Sequence, residues 1–82
     1  MDKYPKVKSV KALDDQQILV EFETGVVKRY NCKPLMDSVE FQPLKNKAFF
    51  KCVQVDPFGY GVIWNDEIDL AESELWINGR MA

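Results

Sequence analysis

The chain has 82 residues, 46% of them hydrophobic and 29% charged, the balance of one ordinary globular domain with no room for a second core. It contains no histidine, which removes the Ser-His-Asp and Cys-His catalytic arrangements and the usual nitrogen ligands of zinc. A net charge of -2 and a pI near 5.0 weigh against a dedicated nucleic-acid binder, whose affinity comes from neutralising phosphates.

In chain order, Lys6 to Leu13 carries an imperfect alternation of Val7, Val10, Ala12 and Leu13, which predicts an outer strand with a bulge where the phase changes. Asp14-Asp15 supplies a turn. From Gln17 to Glu23 the alternation is clean: Ile18, Val20 and Phe22 point one way, Gln17, Leu19, Glu21 and Glu23 the other. Thr24-Gly25 then turns the chain into Val26–Tyr30 as an antiparallel hairpin.

Between Asn31 and Lys51 the period of two is lost, and Pro34 and Pro43 break any long helix, so short helical turns are expected. Leu35, Met36 and Val39 would form one apolar stripe, and Leu44, Ala48 and Phe49 a second against the sheet. The adjacent Phe49 and Phe50 cannot both face one way. Cys52–Asp56 reads as a strand with Val53 and Val55 inward, and Pro57-Phe58-Gly59-Tyr60 as a turn into a strand over Gly61–Trp64. The last element is a helix over Leu70–Asn78 with Ala71 and Leu75 on one face, Glu72 and Glu74 near the positive end of its dipole, and Gly79 as terminator; two starts are open, Asp69 with Glu72 resembling a capping box and Ala71 with Glu74 a poorer one, and Asp69 is the expected N-cap. The expected fold class is α+β: a small antiparallel sheet of about five strands in two hairpins, with short helices in the middle and at the C-terminus, forming a single domain over residues 1–82.

Four clusters are candidates for chemistry. Asp66, Glu67, Asp69, Glu72 and Glu74 put five acids into nine residues, a pattern that suits a divalent cation or a solvated acidic face. An EF-hand register from Asp56 to Glu67 fails, because Phe58 and Tyr60 stand where oxygen ligands are needed. Lys3, Lys6, Lys8 and Lys11 crowd the first strand, where lysines also serve to block edge-to-edge pairing. Only Tyr30 beside Lys28-Arg29 approaches the interleaving of aromatic and basic residues that nucleic-acid binding needs. Cys32 lies next to Lys33, which favours a thiolate, but no histidine is present to act as base; two cysteines also make no disulfide framework, and both read as free thiols. Phe58, Tyr60, Trp64 and Trp76 gather in the final third. Trp64 reads as core, and Phe58, Tyr60 and Trp76 as a protein-binding patch.

The order of signals matches a known series: Pro5-Lys6-Val7, Leu19-Val20-Glu21-Phe22 with Thr24-Gly25, Tyr30 and Pro34-Leu35, then Phe41, Leu44 and Phe49. It continues with Val53-Gln54-Val55-Asp56, Gly61-Val62-Ile63-Trp64, Asp69-Leu70 and Glu74-Leu75-Trp76. This series resembles the small bacterial domain-of-unknown-function family numbered 2442, over nearly the full chain. The resemblance implies an α+β domain with an antiparallel sheet and no assigned catalytic residue. Members of the family are in some cases fused to a helix-turn-helix domain or encoded beside another small protein, as in toxin-antitoxin pairs. Ending at Ala82, the chain is expected to lack the fused DNA-binding part, so a regulatory role would run through a partner.

The expected function is a noncatalytic protein-interaction module, an antitoxin-like or regulatory partner of another protein such as a neighbouring gene product, or a homodimer. The alternative is a small-molecule or divalent-metal-binding domain using the acidic segment 66–74. No catalytic residue, cofactor or direct nucleic-acid contact is expected. The N-terminus has neither the apolar stretch nor the cleavage site of a signal peptide, and no apolar run approaches a membrane span, so a cytoplasmic protein is expected.

Overall fold

The computed structural model describes residues 3–82. Strands β1 (Val7–Ala12), β2 (Gln17–Phe22) and β3 (Val27–Asn31) form an antiparallel meander, and β7 (Arg80–Met81) pairs with β3 to complete a four-stranded sheet in the order β1-β2-β3-β7. A second sheet, ordered β4-β5-β6, is built from β4 (Gln54–Val55), β5 (Gly61–Ile63) and β6 (Asp69–Ala71). Between the sheets in sequence lie two 3-10 turns, Lys33–Asp37 and Val39–Lys45, and the short helix α1 (Lys47–Phe50); α2 (Glu72–Asn78) leads from β6 to β7. The α+β class, the antiparallel pairing and both hairpins agree with the sequence reading. Among the described residues the strands number seven in two sheets, because β6 and β7, two or three residues each, are too short to show a period of two.

The bulge falls inside β1, where Val7 faces Phe22 but Ser9 already faces Glu21. That extra residue returns Val10 and Ala12 to the inner face, against Val20 and Ile18, and leaves Ser9 and Lys11 outside. Ile18, Val20 and Phe22 are fully buried as the alternation requires. At the β2–β3 hairpin the Phe22 amide donates to the Val26 carbonyl (2.8 Å), and Gly25 has φ +90°, a conformation that favours glycine. Trp64 is core: its indole N–H donates to the Phe50 carbonyl at 3.0 Å and its ring lies 6.0 Å from that of Phe50.

Several local expectations are corrected. Val39 is 86% exposed and joins no stripe with Leu35 and Met36, because Ser38 is extended and separates two distinct 3-10 turns. On α1 it is Phe50 that is buried, with Phe49 half-buried and Ala48 exposed. Val53 is buried but Val55 only half-buried. Asp69 is not a helix cap: it pairs with Ile63 as the first residue of β6, and α2 begins at Glu72 after Ala71, which makes no side-chain cap. The helix start is displaced because Leu70 is needed as a strand residue, paired with Val62 in the core. Gly79 does end α2, its amide donating to the Leu75 carbonyl at 3.0 Å, but in an extended rather than left-handed conformation. Glycine is required there for space, since a Cβ would sit 2.4 Å from the Leu75 oxygen and 3.2 Å from Lys28 Cβ.

Candidate protein-binding site

Phe58 and Tyr60 lie on the turn between β4 and β5. Asp56, the last residue before Pro57, organises that turn: its carboxylate accepts from the amides of Phe58 (2.9 Å) and Tyr60 (3.3 Å). Its backbone amide donates to Gly61 and its carbonyl accepts from Gly59, both at 2.9 Å, which closes the hairpin. The turn is docked on the main sheet, because the Gly59 carbonyl accepts from the Val7 amide at 2.8 Å. Two rings are thereby presented on a fixed backbone. Phe58 is 72% exposed and Tyr60 50%, with centroids 6.4 Å apart, and the Lys6 ammonium stands 5.3 Å from the Tyr60 centroid. The sequence singled out the rings but not Asp56, although Asp-Pro-Phe-Gly is the signal of an Asx turn.

Trp76, the third residue of the expected patch, lies on α2 and is half-buried. Its ring packs edge-on against Phe22, at 5.0 Å, and carries the Lys28 ammonium 4.2 Å above its face. Lys28 also donates to the Trp76 carbonyl, so a cation sits at the negative end of the α2 dipole. The ring contacts of Trp76 are thus with the main sheet, and those of Phe58 and Tyr60 with each other and with Lys6.

The remaining candidates are placed as follows. Asp66 and Glu67 are exposed on the β5–β6 turn, Asp69 is on β6, and Glu72 and Glu74 are in the first turn of α2. Among the described residues no three acids or thiols gather to hold a metal ion. Glu74 is engaged by the Tyr30 hydroxyl at 2.7 Å and by the Asn78 amide at 2.9 Å. Tyr30 is buried on the inner face, which it shares with Lys28 and not with Arg29; burial, then the Glu74 bond and charge, push its hydroxyl pKa upward. Cys32 is fully buried, and burial pushes its thiol up to about 12, overriding any help from Lys33. Cys52 is exposed, and both thiols are free. Lys8 lies in the β1 bulge and Lys11 on the outer face of that edge strand. No helix among the described residues is long and apolar enough to cross a membrane.

No curated protein matches the chain. The solved structure of a putative DNA-binding protein from Nitrosomonas europaea is similar in fold, with a TM-score of 0.69 at 23% identity over 84% of this chain and 46% of that one. The chain therefore spans about half the length of that neighbour. The family model described as protein of unknown function, DUF2442, matches residues 7–80, which contain the aromatic turn and all of both sheets except Met81 of β7. From β1 to β7, then, the chain belongs to the DUF2442 family.

Proposed function

We propose that the protein is a noncatalytic binding module of the cytoplasm whose partner is another protein, in an antitoxin-like or regulatory role. The observation that carries this reading is the exposed pair Phe58 and Tyr60 on a turn held by Asp56. Aromatic rings with few rotatable bonds, already fixed in place, bury large apolar area on binding at low entropic cost. The noncatalytic part rests on the chemistry of the side chains: the chain has no histidine, and Cys32 is held as a neutral thiol in the core. The DNA binding named for the fold neighbour is not carried over, because half of that protein lies outside the match and this chain has a net charge of -2.

The test compares wild type with the Phe58→Ala, Tyr60→Ala double variant, by light scattering over a concentration series and by pull-down from the native host with the neighbouring gene product as the bait's expected prey. The double variant, altered only at exposed rings, keeps its fold and loses the complex, and the wild-type complex survives ~0.5 M salt, at which exposed charge contacts are screened within a few ångströms. A wild-type protein that is strictly monomeric and captures nothing refutes the reading, as does a complex that the double variant retains.

A further inference from the structure

The register of β3 against β7 sets Arg29 directly opposite Arg80. In the same cross-strand row Arg29 faces Leu19 on β2, and Leu19 faces Lys11 on β1. These residues occupy the outer face, since their neighbours Val20 and Tyr30 are buried on the inner one. Side chains directly opposed in an antiparallel pair start from Cβ atoms ~4.5–5.5 Å apart, so two guanidiniums there repel each other. Among the described residues neither guanidinium has a carboxylate or hydrogen-bond partner. A groove of about 450 Å³ opens beside them, bounded also by Gln17, Asn31, Asn78, Met81 and Ala82. Asn31 uses its oxygen to accept from the Lys33 amide, which leaves its NH₂ to donate; Asn78 spends its NH₂ on Glu74, which is itself bonded to Tyr30 and does not line the groove.

We infer that this groove binds a small phosphate-bearing molecule, its oxyanion clasped between Arg29 and Arg80. Planar guanidiniums engage phosphate oxygens in pairs, and an anion between them converts the repulsion across β3 and β7 into attraction. The groove has the size of a small-molecule site, which typically runs from about 300 to 1,000 Å³. A nucleic-acid strand is a poorer match, because the row holds no exposed ring on which bases could stack: Leu19 fills its centre and Tyr30 faces the core.

The test titrates inorganic phosphate, glycerol phosphate and a single-stranded 20-mer oligonucleotide against the whole chain at constant ionic strength, with chloride as the control anion, reading melting temperature and the arginine Nε–Hε NMR signals. Saturable binding of both phosphates, with shifts at Arg29 and Arg80, is expected, and Arg29→Gln or Arg80→Gln should weaken it at least about tenfold. Arg80→Lys, which keeps the charge and loses the fork, should also weaken it. Without phosphate, Arg80→Gln should melt no lower than wild type, since it removes a like-charge contact. Equal responses in chloride, a phosphate response unchanged in the glutamine variants, or tighter binding of the oligonucleotide than of glycerol phosphate would each overturn the inference.

Discussion

Replacing Asp56 by alanine removes the acceptor that holds the aromatic turn while leaving both rings in place. Two amide bonds to one carboxylate are lost, at 2.9 and 3.3 Å. A hydrogen bond to a charged group contributes about 1.5–3 kcal/mol when buried, but these are solvent-accessible and one is long, so the pair together is expected to contribute about 1.5 kcal/mol. At about 6 °C per kcal/mol for a domain of this size, the melting temperature falls by about 9 °C. The loss is local: the backbone bonds of Asp56 to Gly59 and Gly61 remain, so hydrogen exchange should show about tenfold less protection at the Phe58 and Tyr60 amides with the meander unchanged. Asp56→Asn, which keeps an acceptor oxygen without the charge, should cost about half as much. Association through the rings should weaken in Asp56→Ala although neither ring is altered, because ordering the turn is then charged to binding. A melting temperature within about 2 °C of wild type together with unchanged protection at both amides would refute the role given to the carboxylate.

Four further outcomes follow from the packing. Gly61, at φ +154°, has no space for a Cβ, which would lie 2.0 Å from the Leu70 carbonyl oxygen, so Gly61→Ala must part β5 from β6 and should cost more than about 3 kcal/mol in a urea titration. Native protein should release one equivalent of chromophore from a disulfide reagent, from Cys52, and two only when unfolded. Cys32 and Tyr30 stay protonated longer in the fold than in the open chain, so the stability they contribute is complete below about pH 9 and lost as pH rises. For Cys32 the loss runs from about pH 9 to its folded value of about 12 and amounts to no more than about 4 kcal/mol; Cys32→Ala should flatten that part of an alkaline melting series. Asp69→Ala should shift stability by less than about 0.5 kcal/mol, since the residue is an exposed strand position and caps nothing; a loss above 1 kcal/mol would restore it as a cap.

The rings of the candidate site were legible because Phe58 and Tyr60 flank a glycine in a turn signal, where no periodicity claims them for the core. Trp76 was not assignable in the same way, because its ring meets Phe22, more than fifty residues away in the chain. The error at Asp69 has a definite source. Asp69 and Glu72 satisfy the local pattern of a capping box, but Leu70 between them packs in the core opposite Val62, and burial of a leucine outweighs one cap.

By itself the sequence determined the β1–β3 meander, the bulge in β1, the second hairpin and the class of the fold, since each rests on neighbours within a few residues: an alternation, a phase change, a turn dipeptide. Local chemistry decides such elements before any long-range contact forms. Only the tertiary structure decided that β6 and β7 are strands, that Phe50 rather than Phe49 is core, and that Arg29 stands opposite Arg80. A two-residue strand has no period to read; it exists because the backbone of β3 offers unpaired hydrogen-bonding groups at its free edge and Gly79 lets the chain pass closely enough to Leu75 and Lys28 to reach them.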